Sequence, residues 1–506
     1  MNAAPTAPDA PLLRLLDAGG TQLGPALCSA QPGGLRGWPA QELRAAALAL
    51  AHSLHHTHAV RPADRVAWLG NNHPHQLLLL LALAQLGAML VPLNFRLAPA
   101  EWDAVLHDCG ASLLVHDAAW DGPAQALARR QGIAALPAWH WDASVFGTQP
   151  AARPSTAATA ATTATTDTPV LLVYTSGTTG APKGAVHTQG QLLANARIAA
   201  QVQGITPEDR VLTVLPLFHV GGLCIQTLPA LYAGATVWLH ERFDAQATLA
   251  AIASWRPTLT LLVPATLRAL IEHPAWPNTD LGSLRAVWAG SSVIAPALID
   301  AFHARGVPVC NVYGATETGP FSIALGAEHA ASHAGSCGWP APGVQARVLA
   351  ATDGVGELLI RGPNVVRHYW PDRAATDAEG WFHSGDLARC EADGSWRIVG
   401  RAKDMIISGG ENIYPAEIEN LLAGHPQVAD CAVIGQDDAQ WGEVVVAVVV
   451  PRDAPDHAGL QSALQDLLQS RLARYKLPRR WVFLGELPRT ALGKVRKDAL
   501  KRQLAG

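Results

Sequence analysis

With 506 residues, the chain is long enough for two or more domains and can bury a core without disulfide or metal staples. Basic and acidic residues nearly balance, 37 against 41 for a net charge of −4, which argues against the basic face that nucleic-acid binding favours. Apolar residues make up 49% and charged ones 15%, so the chain is globular and not disordered. Cys28, Cys109, Cys224, Cys310, Cys337, Cys390 and Cys431 are scattered, without a Cys-x-x-Cys or Cys/His ligand spacing. They read as reduced thiols of a cytoplasmic protein.

Residues 1–15 are rich in Ala and Pro and lack the basic-then-apolar order of a targeting segment. Helical periodicity follows over 41–55, then short strands over 65–69 and 112–116. The apolar run 77–93 is shorter than the ~20 residues that span a bilayer and carries Gln85, Gly87 and Pro92. It predicts a buried helix over 74–86, a stop at Gly87 and a buried strand over 88–93, with no transmembrane segment. Residues 151–169 are almost wholly Ala, Thr, Ser and Pro, a surface linker. From 170 to about 320 strands (170–174, 210–215, 236–239, 259–263, 286–289, 307–312) alternate with helices, the rhythm of βαβ units and a mainly parallel sheet. Beyond 345 the strands crowd together as a β-rich subdomain. After the polar stretch 400–404 comes a compact pattern of helix 415–422, strands 428–434 and 444–450, and helix 460–472. The expected fold is α/β: a large multi-subdomain N-terminal domain over 1–401, with mainly parallel sheets plus the β-rich subdomain, and a small α+β C-terminal domain over 402–506.

Five segments carry chemistry. In Tyr174-Thr-Ser-Gly-Thr-Thr-Gly-Ala-Pro-Lys-Gly184 a strand enters a loop of glycines and hydroxyls that ends in a lysine. Glycine lets backbone N–H groups approach a ligand closely, the hydroxyls of Thr175, Ser176, Thr178 and Thr179 add donors, and Lys183 adds charge, which together suit phosphate oxygens. The loop is not a Walker motif, because Lys183 lies between Pro182 and Gly184. In Asn311-Val-Tyr-Gly-Ala-Thr-Glu-Thr-Gly319, at the carboxyl end of a strand, Tyr313 offers a face for a base, Thr316 a hydroxyl and Glu317 a hard carboxylate suited to Mg²⁺. Alone it reads equally as a capped strand-to-helix turn. Gly380-Trp-Phe-His-Ser-Gly-Asp386 ends in a carboxylate that could accept from ribose hydroxyls, though Ser-Gly-Asp is also ordinary turn chemistry. The remaining two are Gly400-Arg-Ala-Lys-Asp-Met-Ile-Ile-Ser-Gly-Gly-Glu-Asn-Ile-Tyr-Pro-Ala-Glu-Ile-Glu419, with its Gly-Gly pair, and Pro488-Arg-Thr-Ala-Leu-Gly-Lys-Val-Arg-Lys497, which sets Lys494 beside a glycine in a basic loop.

In this order and spacing, the five segments resemble the adenylate-forming superfamily of acyl- and aryl-CoA synthetases, luciferases and peptide-synthetase adenylation domains, over nearly the whole chain from about residue 38. Leu215-Pro-Leu-Phe-His-Val-Gly-Gly222 and the run 234–243 are similar to bacterial acyl-CoA synthetases acting on fatty, hydroxycinnamic and succinylbenzoic acids. The resemblance implies that a carboxylic acid, Mg·ATP and CoA are consumed and AMP and pyrophosphate released. It implies that Thr175, Ser176, Gly177, Thr178, Thr179, Gly180 and Lys183 hold the β- and γ-phosphates. Tyr313 and the turn Gly290, Ser291, Ser292 would border adenine and Asn311 and Gly314 would belong to the same ATP site, with Thr316 at the α-phosphate, Glu317 on Mg²⁺, and Asp386 and Arg401 at the ribose. Lys494 would bridge the substrate carboxylate and the α-phosphate. By the same resemblance, the C-terminal domain is mobile and turns about Lys403, withdrawing Lys494 and bringing Ser408, Gly409 and Gly410 to a pantetheine tunnel. Trp441 would either stack on the CoA adenine or pack in its own turn. His219 would line the acyl tunnel; no paired acid marks it as a proton shuttle.

The segments expected around the acyl group (219–222, 263–266, 290–293, 314–323) contain one acidic residue, Glu317, and no Lys or Arg. That predicts a neutral monocarboxylate, fatty or aryl, with Pro320, Phe321 and Ile323 packing against it. Two alternatives stay open: a 2-succinylbenzoate–CoA ligase, and an amino-acid adenylation enzyme serving a carrier protein. The latter usually has an acid near Phe218-His219, and no carrier domain is expected after Gly506. A non-catalytic nucleotide binder is disfavoured by the intact Lys183, Glu317, Asp386 and Lys494. The sequence leaves the oligomeric state open; a homodimer is compatible with it.

Overall fold

The structure, a computed structural model, describes residues 9–20, 24–31, 34–138, 141, 164–176, 182–291, 294–352, 354–408, 411–452, 457–490 and 494–504. Two large sheets are built mainly from parallel strands. One has nine strands, with Val309–Tyr313, Ala286–Gly290, Leu259–Leu262, Arg210–Thr213, Thr236–Leu239 and Leu27–Gln31 side by side and parallel, and antiparallel strands at both edges. The other has eight strands. Pro169–Ser176, Met89–Pro92, Arg65–Leu69, Leu113–His116 and Ala134–Pro137 run parallel in it, and Pro182–Thr188 closes an antiparallel hairpin on the first of these.

Successive strand residues face opposite ways, and the core divides accordingly. Val66 and Trp68 face the same central core as Val211, Val237 and Leu259 of the other sheet, whereas Ala67 and Leu69 face a separate core under helices Pro99–Cys109 and Asp121–Gln131. Leu212, Leu262 and Val287 face a third core with helices Ala245–Trp255, Pro264–Ile271 and Pro296–His303. The result is a layered stack in which both faces of each sheet are covered, as parallel sheets require. The middle layer includes Ala40–His56, Pro74–Leu86 and Gln189–Gln203.

Pro74–Leu86 shows why the apolar run does not signal a membrane. Pro74 opens the helix, His73 caps it by accepting the His75 N–H, and Gly87 ends it at φ 70°. The helix is buried around its whole circumference between the sheets, the environment an all-apolar helix needs. Among the described residues no helix is long and apolar enough to cross a membrane. The N-terminal segment carries more structure than its composition suggests: Pro11–Gly20 forms a 3₁₀ turn that buries Leu12, Leu13 and Leu15 in the central core.

The β-rich subdomain is a four-stranded antiparallel sheet of Gln345–Thr352, Val355–Arg361, Phe382–Cys390 and Trp396–Arg401. After a 3₁₀ turn at Ala402–Asp404 the chain enters a different, five-stranded sheet. It comprises Ile406–Ser408, Glu411–Ile413, Val428–Asp438, Gly442–Pro451 and Arg480–Phe483, covered by helices Pro415–Ala423, His457–Gln469 and Lys497–Leu504. Of the linker expected over 151–169, residues 151–163 lie outside the described residues, and its last residue, Pro169, already pairs in a strand.

Close backbone approach at the end of the parallel strands restricts one residue type sharply. A Cβ built on Gly314 would lie 1.6 Å from the Pro320 carbonyl oxygen, so the 314–320 turn closes only around glycine. Gly314→Ala is expected to lower stability by about 1–3 kcal/mol or more, the cost of forced overpacking. Gly122→Ala, whose Cβ would meet open space, is expected to be neutral or stabilising. Denaturant unfolding of the two variants checks the contrast.

Candidate active site

The strand Val309–Tyr313 delivers Tyr313 to the carboxyl end of the nine-stranded sheet, where open α/β sheets bind ligands. Its hydroxyl donates to Asp386 Oδ2 at 2.7 Å, and Arg401 Nε lies 2.7 Å from Asp386 Oδ1. Burial, reinforced by the Asp386 carboxylate, pushes the Tyr313 phenol well above its ordinary pKa. Asp386 reaches this point through a register shift in its strand. Gly385 sits at φ 67°, its N–H donates to Glu357 Oε1 at 3.0 Å, and Ser384 Oγ accepts the Asp386 N–H while donating to Leu358 O. A bulge of this kind re-aims a side chain, and here it turns a carboxylate toward Tyr313. Asp386 and Arg401 face each other across the adjoining strand pair.

Lys494 arrives from the small domain. It is solvent-accessible, yet crowded enough by surrounding protein that desolvation lowers its pKa below that of a free lysine. Arg401 and Lys403 add to the lowering, and Asp386 and Asp404 oppose it. Lys494 therefore shares one electrostatic neighbourhood with Asp386 and Arg401, although about a hundred positions separate it from them in sequence. Thr490 clamps the base of its loop: the Lys494 N–H donates to Thr490 Oγ1 at 3.1 Å, and the Thr490 N–H to the Lys494 carbonyl at 2.7 Å. Two further contacts tie the small domain to the helix Pro264–Ile271 and its end: Arg268 Nη1 donates to Ala429 O at 2.8 Å, and Arg452 pairs with Glu272 at 2.9 Å.

The lysine-ended segment is a β-hairpin, with Thr175 opposite Lys183 and Thr175 Oγ1 donating to the Lys183 carbonyl. Its tip, Gly177, Thr178, Thr179 and Gly180, lies outside the described residues, as do Ser292, Gly409 and Gly410. Thr316 is buried and Glu317 follows it in the 3₁₀ turn Thr316–Thr318. Glu317 Oε1 accepts from the Tyr369 hydroxyl at 2.9 Å, and the Lys183 ammonium lies 5.9 Å from the Tyr369 ring centroid. Lys183 and Glu317 are thus brought together across Tyr369, a residue that sequence reasoning missed. It stands in a two-residue strand (His368–Tyr369) with no composition signal, and only the pairing of that strand on the hairpin brings it between the two charges.

Gly290 ends its strand where a Cβ would fall 2.4 Å from the Val312 carbonyl oxygen, and Ser291 follows in a left-handed conformation at φ 75°, uncommon for a non-glycine residue. Asn311 turns its amide to the Ser336 carbonyl at 3.0 Å and so braces a neighbouring loop. His219 caps the turn Val220–Gly222 with Nδ1 accepting the Gly221 N–H at 3.0 Å, and desolvation lowers its pKa to about 4. It is neutral at pH 7 with the remaining proton on Nε2. A Cβ on Gly222 would lie 2.3 Å from the Pro216 carbonyl oxygen, so the Phe-His-Val-Gly-Gly turn needs its second glycine. Phe218 meets Phe95 edge to face at 5.2 Å. The expectation that Phe321 and Ile323 face the acyl group fails. Both are fully buried in the protein core, Phe321 against Trp288 at 5.7 Å, because the chain turns them inward once Gly314 has met Pro320.

Ser408 and Trp441 keep company with each other rather than with Tyr313. Ser408 pairs with Glu411 and Gly442, and Trp441, next to Gly442, lies under the Arg479 guanidinium at 4.1 Å. Lys403 lies in the 3₁₀ turn between the two sheets.

The AMP-binding enzyme family matches residues 25–370, and its C-terminal domain matches residues 417–494. The chain belongs to the AMP-binding enzyme family. Among the relatives of this enzyme are an indoleacetate–CoA ligase of Aromatoleum aromaticum, 47% identical with 87% of this chain and 88% of the relative covered, and a feruloyl-CoA synthase of an Amycolatopsis species, 42% identical with 88% and 89% covered. Among solved structures, the o-succinylbenzoate CoA synthetase of Bacillus subtilis in complex with its acyl-adenylate superposes with a TM-score of 0.84 at 30% identity over 98% of both chains. The enzyme stands among the carboxylate–CoA ligases.

The carboxylate at the centre of the site is also structural. Asp386→Ala would leave the Tyr313 hydroxyl and the Arg401 guanidinium without their acceptor and is expected to cost about 1–3 kcal/mol. Asp386→Asn, which keeps an acceptor, should cost less. Urea unfolding without nucleotide measures the difference independently of any role in binding.

Proposed function

We propose that this enzyme is an AMP-forming acid–CoA ligase whose substrate is a neutral aryl or arylalkenyl monocarboxylate. The observation that carries the reading is the Tyr313–Asp386–Arg401 cluster at the carboxyl end of the parallel strands, with Lys494, from a separate sheet-and-helix unit, near enough for Asp386 and Arg401 to act on its charge. In this reading the boundary near residue 402 is a domain boundary and Lys403 its hinge. Asp386 and Arg401 hold the ribose hydroxyls. Tyr313 covers adenine together with the backbone of 290–292, Gly314 and Asn311. The hairpin Thr175–Lys183 holds the β- and γ-phosphates.

The substrate carboxylate attacks the α-phosphorus, forming an acyl–phosphate anhydride as pyrophosphate leaves. Lys494 lies between carboxylate and phosphate and offsets the charge gathering there; Thr316 contacts the same phosphate. Glu317, a hard carboxylate with one oxygen engaged by Tyr369, is the residue that would hold Mg²⁺. Mg²⁺, when bound, neutralises triphosphate charge. After rotation about Lys403, the Ser408–Gly410 loop and Trp441 receive CoA; its thiolate attacks the acyl carbon, the C–S bond forms and AMP departs. His219, neutral and held by Gly221, borders the acyl group without moving a proton. All seven cysteines are unpaired, which supports a reducing, cytoplasmic setting.

The aryl preference is supported by the two relatives named for indoleacetate and ferulate, and by the lack of Lys or Arg in the segments expected around the acyl group. The fatty-acid reading keeps a long-chain-fatty-acid–CoA ligase of Mycobacterium tuberculosis at 34% identity in its favour. A second carboxylate would be buried without a partner. Hydroxycinnamate or indoleacetate should therefore exceed malonate and 2-succinylbenzoate in kcat/KM by on the order of a hundredfold. A preference for either dicarboxylate would overturn the neutral pocket; Arg96, stacked on Phe95 at 5.5 Å, would then be the cation to test.

Lys494→Ala is expected to abolish adenylation, measured by pyrophosphate exchange, while leaving thioester formation from presynthesised acyl-adenylate and CoA largely intact. Equal loss in both half-reactions would disprove the two-orientation assignment. Because its surroundings lower the Lys494 pKa in the free enzyme, kcat/KM for adenylation should decline at a pH below that of a free lysine, as the ammonium loses its proton. In Lys494→Arg whatever adenylation remains should lack that alkaline limb, since guanidinium stays charged.

A further inference from the structure

The segment 366–370 forms a crosspiece between the phosphate hairpin and Glu317. At one end the Val366 N–H donates to the Glu317 carbonyl at 2.8 Å. At the other, His368 and Tyr369 pair with Val186 and Ala185 of the hairpin's second strand, and the Trp370 N–H donates to the Gly184 carbonyl at 2.7 Å. Trp370 is itself anchored: its indole N–H donates to the Asp108 carbonyl at 2.9 Å, and the Arg65 guanidinium lies 5.0 Å from its ring centroid. The Asp108 carboxylate in turn accepts from the hydroxyl of Tyr174, at the foot of the same hairpin. Tyr369 sits in the middle of this frame, half-buried, with three charged groups around it. Its hydroxyl donates to Glu317 Oε1, the Lys183 ammonium lies 5.9 Å from its ring centroid, and Arg373 approaches the ring at 5.0 Å.

We propose that Tyr369 is a positioning residue for the metal–triphosphate, holding Glu317 and Lys183 at a set separation. A carboxylate turning freely about its last bond presents either oxygen to a cation and loses that freedom when it binds. A hydroxyl donating to Oε1 removes the rotation beforehand and leaves Oε2 for Mg²⁺, as partners of metal-ligating side chains commonly do. The aromatic face meanwhile offers the Lys183 ammonium a weak electrostatic seat on the hairpin side of the cleft. The inference rests on the assignment of Glu317 and Lys183 made above and adds to it the group that sets their spacing.

Tyr369→Phe removes the hydroxyl and keeps the ring; Tyr369→Leu removes both. Mn²⁺ binding to enzyme with a non-hydrolysable ATP analogue, followed by electron paramagnetic resonance, should weaken roughly tenfold in Tyr369→Phe. The Mg²⁺ concentration giving half-maximal pyrophosphate exchange should rise in parallel, with kcat at saturating Mg²⁺ near the native value. Tyr369→Leu should in addition raise the KM for ATP, as Lys183 loses its seat. Thermal unfolding confirms that each variant is folded. Unchanged or tighter Mn²⁺ binding in folded Tyr369→Phe overturns the proposal while leaving the ligase reading intact. If Glu317→Gln binds Mn²⁺ as the native enzyme does, the assignment of Glu317 falls, and the role of Tyr369 falls with it.

Discussion

A single buried carboxylate, Asp386, ties the active cleft together. It accepts from Tyr313 on the nine-stranded sheet and pairs with Arg401 at the last residue of the β-rich subdomain, immediately before the chain crosses into the small domain. A carboxylate taken out of water must be met by donors, and these two come from different parts of the chain. The satisfaction of one charge thus fixes the position of the Tyr313 ring, the end of one sheet and the start of the connection to the next. The bulge at Gly385 makes the arrangement reachable, because a regular strand would carry Asp386 past Tyr313.

The Glu317 side of the cleft is held together in a different way. Glu317 and Lys183 stand on separate sheets, Glu317 after the strand Val309–Tyr313 and Lys183 on the strand Pro182–Thr188, and neither touches the other through its own element. What relates them is the 366–370 crosspiece, hydrogen-bonded to the Glu317 backbone at one end and to the hairpin at the other. The two halves of the cleft therefore differ in character. The half around Asp386 is organised by a buried charge and its donors, the half around Glu317 by backbone pairing with one aromatic side chain between two charges. Lys494, exposed on a loop clamped by Thr490, belongs to neither and is placed by the docking of the small domain through Arg268 and Arg452. Surface contacts of that kind are individually weak.

Much of this was legible in the chain. The helix Pro74–Leu86 with its glycine stop, the parallel strands, the crowded strands beyond 345 and the change of sheet after Arg401 all follow from local periodicity, proline and glycine placement, and strand spacing. Gly314 and Gly222 occur where a Cβ would strike a carbonyl oxygen. These features are readable because their causes act within a few residues: the twofold alternation of a strand, the missing N–H of proline, the absent side chain of glycine.

Other features depended on pairings that no local pattern encodes. Leu12, Leu13 and Leu15 lie in the core because helices far along the chain leave a hollow there. Phe321 and Ile323 turn inward rather than toward the cleft because the 314–320 turn reverses the chain, so apolar residues beside a site joined the core instead of lining the pocket. Tyr369 bears no motif at all and gains its place between Glu317 and Lys183 only once a two-residue strand has paired with the strand Pro182–Thr188. By itself the sequence determined the elements, the chemical kinds of residue in the cleft and the family to which the chain belongs. The tertiary structure alone decided which of those residues meet and which are buried, because hydrogen-bond geometry and burial are set by distances between segments that the linear order leaves free.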